Sequence, residues 1–352
     1  MNWRAQIGAV IRMELRKSFF ARRGLWIYLL AFGPSLLYLI HSVDAASDRQ
    51  HRQQLAAAHP VSSIALHSIE AGMSNAAVEE RLGEPYTKSE FRGRGFDRAV
   101  YLYTDGDSDF TFIFLNGAVQ GIREEGRDTL AEDSAIFATV FQFFYLRLAV
   151  FFGCVGIFMN LFRGEMLDKS LHFYLLAPMR REVLLAGKYL AGLIAAAVIF
   201  TIGTGLQIAA LSWHFQPGEV SAYLHGGGWG QIAAYLGVTV LACIGYGSIF
   251  LAAGMLFRNP IVPAAAVLLW ESANIFLPAA LKKISIIFYL ESLCPVVASP
   301  DRGLNLIQRL LISSAEPASA WLAIGGLLAI TVLVLVLAGF RARKLEINYG
   351  TE

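Results

Sequence analysis

The sequence is poor in charge and in cysteine. Charged residues make up only 16% of its 352 positions and hydrophobic residues 56%, with a mean hydropathy of +0.51, outside the range of soluble globular domains. A net charge of +2 argues against a nucleic-acid partner. The three cysteines lie far apart in the chain, which excludes a cysteine metal motif and a disulfide framework. The composition therefore predicts an integral membrane protein.

Catalytic motifs are also missing. No segment has the G-x-x-x-x-G-K-[ST] spacing of a nucleotide-binding loop, and the glycine-rich HGGGWG at 225–230 is not accompanied by the G-x-S-x-G of a hydrolase. The histidines show no H-E-x-x-H or other metal-ligand spacing. We therefore predict a chain that is not an enzyme and that binds neither a cofactor nor a metal; a membrane-embedded hydrolase is the least favoured alternative.

Long apolar runs are what the sequence has in abundance. A helix needs about 20 mostly apolar residues to cross a bilayer. Six segments meet this requirement, and they predict an α-helical polytopic membrane protein with spans at 25–43, 136–162, 189–212, 231–257, 261–281 and 320–340.

The distribution of lysine and arginine predicts the orientation. These residues are concentrated in the N-terminal segment 1–24, in the loop 163–188 and in the tail 341–352. The short loops on the opposite side carry only Lys282, Lys283, Arg302 and Arg309. Because positively charged loops stay in the cytoplasm, both termini and the 163–188 loop are predicted to be cytoplasmic.

The long insert at 44–134 is polar, and its orientation predicts a small α+β domain outside the membrane. Ser74 or Asn75 can cap a helix that Gly83 ends, and alternating aromatic residues followed by Asn116-Gly117 predict a hairpin within about three antiparallel strands. The run GMSNAAVEERLGEP … YLY … FTFIFLNGAVQGI resembles the SmpA/OmlA (BamE-like) fold of envelope lipoproteins. That resemblance implies a docking or gating module for an envelope protein; a plain extracytoplasmic cap is the alternative.

Two shorter segments complete the plan. Residues 282–319 contain ISIIFYLESL and GLNLIQRLLISS, which predict two short helices at the outer surface. The N-terminal stretch IGAVIRMELRKSFFARRG has an apolar face and a basic face, which predicts an amphipathic helix in the inner membrane interface. Its basic residues could serve simply as an anchor to anionic lipid.

The 163–188 loop is unusually charged for this chain. Between Gly164 and Leu176 its apolar residues recur at helical spacing, whereas Glu165 and Lys169 form a favourable i, i+4 pair on the polar face. Pro178 ends this helix, and Arg180-Arg181-Glu182 begins another that runs into the third span. Such a segment is suited to passing motion from a soluble partner into the membrane; a surface loop that only maintains topology is the alternative.

The loop resembles a known family. FRGEMLDKSLHFYLLAPMRREVLLAGKYLAG is similar to the first cytoplasmic loop of permease subunits of type-2 ABC (ABC-2) exporters, whose pattern is E-x-x-x-x-T/S-L-x-x-L-L-x-x-P-x-x-R-x-x-x-x-x-G-K. The matching positions are Glu165, Ser170, Leu171, Leu175, Leu176, Pro178, Arg181, Gly187 and Lys188. The overall plan of six spans with a large outer insert is similar too, although the insert's size and type depart from the family.

The resemblance implies that the loop helix docks on a cytoplasmic ABC ATPase, present in two copies that bind ATP and Mg²⁺. It further implies a second permease subunit, identical or homologous, and a location in the bacterial inner membrane. The residues implied in coupling to the ATPase are Glu165, Met166, Asp168, Lys169, His172, Pro178, Arg180, Arg181, Glu182 and Lys188 in the loop, with Glu14 and Lys17 in the N-terminal helix.

Three polar residues lie inside predicted spans. Arg147 falls near the centre of the second span, and Glu271 and Asn274 fall midway along the fifth. Because polar groups are costly in lipid, they are expected to pair across the bundle, to line a translocation path or to lie at a subunit interface.

The expected function is therefore that of a transmembrane permease subunit of an ATP-driven exporter. The alternative is an ATP-independent assembly or sensor protein, in which the outer domain binds an envelope partner and the spans are a scaffold. The sequence does not indicate which substrate is transported.

Overall fold

The chain folds into two compact units. The computed structural model describes residues 3–20, 24–93, 96–126, 129–167, 180–257, 259–296 and 316–343. The first unit consists of Met1–Tyr38, Ser134–Ser212 and Gln216–Glu352, and the second of Leu39–Asp133 and Trp213–Phe215.

The secondary structure is mainly helical, with one sheet. In chain order its elements are helices α1 (Trp3–Phe20), α2 (Leu25–Ala58), α3 (Ser63–His67) and α4 (Asn75–Leu82); strands β1 (Thr87–Gly93), β2 (Phe96–Thr104), β3 (Asp109–Leu115) and β4 (Ala118–Glu125); helices α5 (Leu130–Val140), a π-helical segment (Phe141–Val150), α6 (Phe151–Leu167), α7 (Arg181–Ser212), α8 (Pro217–Tyr223), a second π segment (Leu224–Gly228), α9 (Trp229–Leu256), α10 (Ile261–Ala273), a 3₁₀ turn (Asn274–Phe276), α11 (Ala279–Lys282), α12 (Ile286–Leu293) and α13 (Ala320–Arg343).

Five helical stretches in the described part of the chain are long and apolar enough to cross a membrane. They are Leu25–Ala58, Leu130–Gly164, Arg181–Ser212, Pro217–Leu256 and Ala320–Arg343. Each contains all or nearly all of one predicted span, and most extend well beyond it. In particular, α2 continues through Pro34 and past the predicted boundary at residue 43 as far as Ala58.

The fifth predicted span is where the prediction was wrong. Instead of one helix over 261–281, α10 ends at Ala273 after 13 residues, about 20 Å of helix against a bilayer core of about 30 Å. The 3₁₀ turn follows, and Leu277 is then extended, with ψ at 146°. A residue that precedes proline is pushed out of the helical region, and Pro278 follows Leu277. The chain continues as the short helices α11 and α12.

The apolar helices of the first unit differ in how much they bury. The stretches Leu130–Gly164, Arg181–Ser212 and Pro217–Leu256 each bury 61% of their most apolar window, whereas Leu25–Ala58 and Ala320–Arg343 bury 28% and 22%. The core between the first three is rich in buried aromatic residues, among them Tyr145, Phe158, Phe200 and Tyr246. The helices α2 and α13 therefore keep much of their apolar surface uncovered.

The second unit is the predicted α+β domain. Its four strands pair antiparallel in the order β1-β2-β3-β4. Aromatic residues at alternate positions of β2 and β3 are buried against α3 and α4, forming a core of Leu66, Ile69, Val78, Leu82, Tyr101, Tyr103, Phe110, Phe112, Phe114 and Val119. The Tyr103 hydroxyl donates to the Gly83 carbonyl (2.9 Å), so this core is also tied to the end of α4.

The local signals in this unit were predicted correctly. Ser74 caps α4 by accepting the Ala77 N–H (3.2 Å), and Gly83 ends it with φ at 80°. Asn116 and Gly117 have φ values of 50° and 79° and form the turn between β3 and β4. The sheet has four strands rather than about three, because β1 (TKSEFRG) lies at the edge and lacks an alternating apolar face.

A tripeptide that follows α7 also belongs to the second unit. Arg49 of α2 donates to the His214 carbonyl (2.7 Å), and the His214 Nε2 lies 3.6 Å from an Asp133 carboxylate oxygen. Both side chains of that His–Asp pair are buried. Trp213–Phe215 is thereby joined to two segments that are distant in sequence.

Candidate functional site

The loop predicted to couple the membrane helices to a partner lies between α6 and α7. Helix α6 ends at Leu167, so the backbone of Glu165 and Met166 forms its last turn. Asp168, Lys169, His172 and Pro178 lie outside the described residues, as does the predicted amphipathic helix beyond Leu167.

Helix α7 begins where the sequence predicted. The carbonyl of Arg180, which is exposed, accepts the N–H groups of Val183 (3.0 Å) and Leu184 (3.2 Å) and so starts the helix. Glu182 places a negative charge in the first turn, where the helix dipole favours it. The helix then runs for 32 residues without a break. A rigid rod of about 48 Å thus leads from the end of the loop to Ser212.

The first residues of α7 contact the end of α13. Arg181 donates to the carbonyl of Arg343 (2.8 Å), one of the last carbonyls of α13, which have no partner within their own helix. The Arg343 side chain in turn forms an ion pair with Glu182. These predicted coupling residues therefore also tie the third span to the last one.

Glu14 and Lys188 meet each other inside the first unit. The Lys188 Nζ lies 2.7 Å from a Glu14 carboxylate oxygen and also donates to the Leu161 carbonyl (2.7 Å). The ammonium lies 5.3 Å from the centre of the Phe162 ring. The Lys188 side chain is 0% exposed and that of Glu14 is 4% exposed, so the two charges are buried against each other. Their part in coupling to an ATPase stays a prediction. We call this set, Glu14 with Lys188 and the Leu161 carbonyl, the Lys188 junction.

Helix α1 lies along α7 at this junction. Its buried residues Val10 and Glu14 are one turn apart, and both contact α7. A Cβ atom placed on Gly187 would lie 2.9 Å from the Cβ of Val10, so only glycine permits this approach. Lys17, one turn beyond Glu14, is exposed. Among the predicted residues of α1, Lys17 is therefore the one with a surface position.

Arg147 forms an ion pair with a residue that the sequence did not single out. It lies in the π-helical segment and donates to Glu291 of α12 (2.6 Å). Gln142 of the same segment donates to the Val296 carbonyl (2.6 Å), just beyond α12. π segments are rare and recur at functional sites. Arg147 thus pairs with Glu291 of this chain; its expected place in a translocation path or at a subunit interface stays a prediction.

Glu271 holds the other end of α12. Its buried carboxylate accepts the N–H groups of Ile286 (3.1 Å) and Ile287 (2.8 Å) and the hydroxyl of Ser285 (2.8 Å). These are the N-terminal groups of the helix, which have no partner within it. The buried Asn274 donates to the Lys282 carbonyl at the limit of hydrogen-bond distance (3.5 Å). Glu271 and Asn274 thus stabilise the broken region that replaces the predicted fifth span.

Taken together, these contacts fix α12 at both ends. Glu271 caps its first turn and Arg147 pairs with Glu291 in its last turn. We call this arrangement the α12 clamp. Neither it nor the Lys188 junction has the composition of a catalytic centre. Across the described ranges, no group of three or more His, Cys, Asp or Glu side chains is arranged to hold a metal ion.

A comparison with protein families decides the class of this chain. Residues 9–341 match the family described as ABC-2 family transporter protein. The chain belongs to this family. A comparison with curated proteins gave no significant match.

Membership of the ABC-2 family identifies the chain as a multi-pass membrane component of an ABC transporter, and this confirms the resemblance read from the 163–188 loop. The family match also spans the second unit, but it does not test the likeness of that unit to the SmpA/OmlA fold, which stays a prediction.

Sequence reasoning missed Leu161 and Glu291 as partners. A backbone carbonyl such as that of Leu161 carries no sequence signal. Glu291 lies in ISIIFYLESL, which was assigned to the surface, although a lone carboxylate in an apolar segment is itself a signal that a basic partner is near.

Proposed function

We propose that this chain is the permease subunit of an ATP-driven exporter in the bacterial cytoplasmic membrane. It works with two copies of a cytoplasmic ABC ATPase and with a second permease subunit, identical or homologous. ATP and Mg²⁺ are bound by the ATPase subunits. Membership of the ABC-2 family supports the transporter role. The remaining assignments rest on the resemblance of the 163–188 loop to permease subunits of ABC-2 exporters.

The observation that carries the proposal is the continuity of α7 with the end of the 163–188 loop. An ATPase that binds the loop at Glu165, Met166, Asp168, Lys169, His172 and Pro178 moves the first turn of α7. Because the helix is unbroken from Arg181 to Ser212, that displacement reaches the far end of the third span. The contacts of Arg181 and Glu182 with Arg343 pass the same displacement to α13.

The uncovered apolar surfaces of α2 and α13 support a second permease subunit. Leu29 and Leu37 of α2 and Leu333 and Leu337 of α13 are each more than half exposed. Lipid covers such surfaces in a single chain, whereas in a dimer one of them lines the subunit contact. The translocation path then lies between two copies of the bundle, where Arg147, Glu271 and Asn274 remain candidates for its polar lining.

The broken region after α9 completes the crossing. The positive charge at both ends of the chain favours placing both termini in the cytoplasm. Since α10 alone is too short to span, the chain crosses to the outer side between the start of α10 and the start of α13, with α11 and α12 in that stretch. The α12 clamp then lies at the depth of Arg147, near the middle of the second span. The predicted outer position of residues 44–134 would let them bind an envelope protein.

The test is co-purification of the chain with a cytoplasmic ABC ATPase. Glu165 and Asp168 are changed to alanine together, because both lie in the loop segment and both precede the start of α7 at Arg181. The expected result is loss of coupled ATP hydrolysis in an otherwise folded protein. The matched control removes the exposed pair Arg123 and Glu125 of β4, which lies in the second unit.

Two outcomes contradict the proposal. One is a complex that keeps full coupled ATPase activity when the loop is changed. The other is the absence of any ATPase partner while the second unit retains an envelope partner, which would favour the ATP-independent assembly or sensor protein.

A further inference from the structure

The Lys188 junction connects three elements through one ammonium group. Lys188 belongs to α7, its ionic partner Glu14 to α1, and its carbonyl partner Leu161 to α6. Both Nζ contacts are 2.7 Å long. A lysine ammonium has three protons to donate, so it can serve both acceptors at once.

The position of the junction relative to the loop is informative. Leu161 lies six residues before the end of α6, and Lys188 lies seven residues after the start of α7. At 1.5 Å per residue, both are about 10 Å inside the helices that flank the loop. Among the described residues of α7, Lys188 is therefore the first polar side chain that is buried, and it lies close to the loop.

Burial determines what the ion pair contributes. Taking two charges out of water is costly, and apolar residues of similar size often give equal or better stability at such a site. Stability alone therefore does not account for a fully buried Lys–Glu pair. A charge-assisted hydrogen bond is directional, and here it fixes the position of α1 along α7 where Val10 already packs on Gly187.

We propose that Lys188 is a positioning residue that makes α1 move together with the start of α7. This inference rests on the proposed function and deepens it: an ATPase that displaces the loop shifts α1 as well as the third span. The N-terminal helix is then a moving part of the coupling mechanism rather than a passive anchor to lipid. The exposed Lys17 lies on the same moving helix.

The test separates positioning from stability with two variants. Lys188→Met alone leaves the Glu14 carboxylate buried beside an apolar side chain, and it is expected to lower the yield of folded protein and its melting temperature. The double variant Glu14→Leu/Lys188→Met removes both charges, and it is expected to recover the yield and melting temperature of the natural chain. It should nevertheless lose coupled ATP hydrolysis in the complex with the ATPase. Removal of the exposed pair Arg123 and Glu125 of β4, which takes no part in the coupling contacts, is the matched control for loss of an ion pair.

A covalent link between the two helices provides the specific readout. Cysteines at Val10 and Gly187, in a chain whose Cys154, Cys243 and Cys294 are changed to alanine, can form a disulfide after a shift of about 1 Å. In the double variant this disulfide is expected to restore coupled hydrolysis, and a reducing agent is expected to abolish it again. A residue needed only for stability would not respond in this way.

The outcomes separate this inference from the proposed function. If the natural chain couples to the ATPase and the apolar double variant couples equally well, positioning by Lys188 is refuted and the proposed function stands. If the natural chain forms no complex with an ATPase, both are refuted. If the disulfide leaves the double variant uncoupled, rigid attachment of α1 is not what Lys188 supplies, and the inference is again overturned.

Discussion

The Glu271 carboxylate is the most heavily used acceptor of the α12 clamp, and its removal has a calculable effect. Glu271→Ala deprives three donors of their acceptor: the N–H groups of Ile286 and Ile287 and the hydroxyl of Ser285. The carboxylate is 4% exposed, so water cannot readily replace it. The expected result is loss of the first turn of α12.

The magnitude follows from the number of donors. Each buried donor left without an acceptor costs about 1–3 kcal/mol. Ser285 can rotate its hydroxyl toward another acceptor, so the two backbone N–H groups dominate and the expected loss is about 3–5 kcal/mol. In a domain of this size such a loss lowers the melting temperature by about 5–15 °C.

Two graded variants test the reasoning. Glu271→Gln keeps one acceptor oxygen but directs an NH₂ group at donors, so its melting temperature should fall between those of the natural chain and the alanine variant. Ser285→Ala removes a donor without leaving one unsatisfied, so it should cost less than about 1 kcal/mol. Thermal unfolding in detergent gives the melting temperatures, and hydrogen exchange reports on the amides of Ile286 and Ile287.

A melting temperature that is unchanged in Glu271→Ala, together with protected Ile286 and Ile287 amides, would refute this account. It would mean that α12 is held by its packing alone. A drop as large in Ser285→Ala as in Glu271→Ala would refute the assignment of the cost to the backbone donors.

Three further predictions concern other contacts. Gly117→Val places a β-branched residue at φ 79° and should destabilise the sheet by at least about 1 kcal/mol, measured as faster exchange of β3 and β4 amides. Glu291→Leu should lower the melting temperature more than Arg147→Met. The first variant leaves the Arg147 guanidinium, which is 12% exposed, without its partner; the second leaves the Glu291 carboxylate, which is 30% exposed and more easily hydrated. The Lys88 ammonium donates a hydrogen bond to Glu79 and so lowers the pKa of that carboxyl group. The pair therefore stabilises the second unit at pH values above the ordinary carboxyl pKa, and this stabilisation is lost as the pH falls through the lowered pKa. The destabilisation caused by Lys88→Met should accordingly disappear on acidification.

Controls for these three are available in the same chain. Gly121→Ala should be tolerated, because its φ is not positive and the new Cβ would lie 3.9 Å from the Ile113 side chain. For the ion pair, equal effects of the two single variants would contradict the argument from exposure. For the acid titration, a Lys88→Met effect that persists at low pH would show that Lys88 acts through its aliphatic chain and not through its charge.

The features predicted correctly from sequence are those set by local rules. Five of the predicted spans are long apolar helices in the structure. Such helices can be predicted because the length and hydropathy of a segment determine whether it can cross a bilayer. The Ser74 cap and the Asn116-Gly117 turn depend on the conformational preferences of one or two residues. The start of α7 at Arg181 follows in the same way from the proline and the charged residues that precede the third span.

The features that were missed depend on the neighbours of a segment. The break after Ala273 was hidden inside an apolar run, although Pro278 marked it. Helix α2 continues to Ala58 because neither glycine nor proline interrupts it between Pro34 and Pro60. The sequence becomes polar from residue 44 onward, but the helix does not end there.

The partners in the buried ion pairs could not be predicted from the sequence for a different reason. Glu14 and Lys188 are 174 positions apart, and Arg147 and Glu291 are 144 apart. A single sequence indicates that such charges need partners but does not say which ones. Their burial also adds a contact that the coupling prediction did not include: Glu14 and Lys188 hold two helices of this chain together.

The central claim is that an ATPase docks on the loop between α6 and α7. The most direct measurement is photo-crosslinking in membranes, with a photoreactive residue at His172 and, as the reference, at Trp213, which is 74% exposed in the second unit. The account predicts a crosslink to the ATPase subunit from position 172 and none from position 213. An intact complex that gives no crosslink from position 172, or an equal crosslink from position 213, would contradict it.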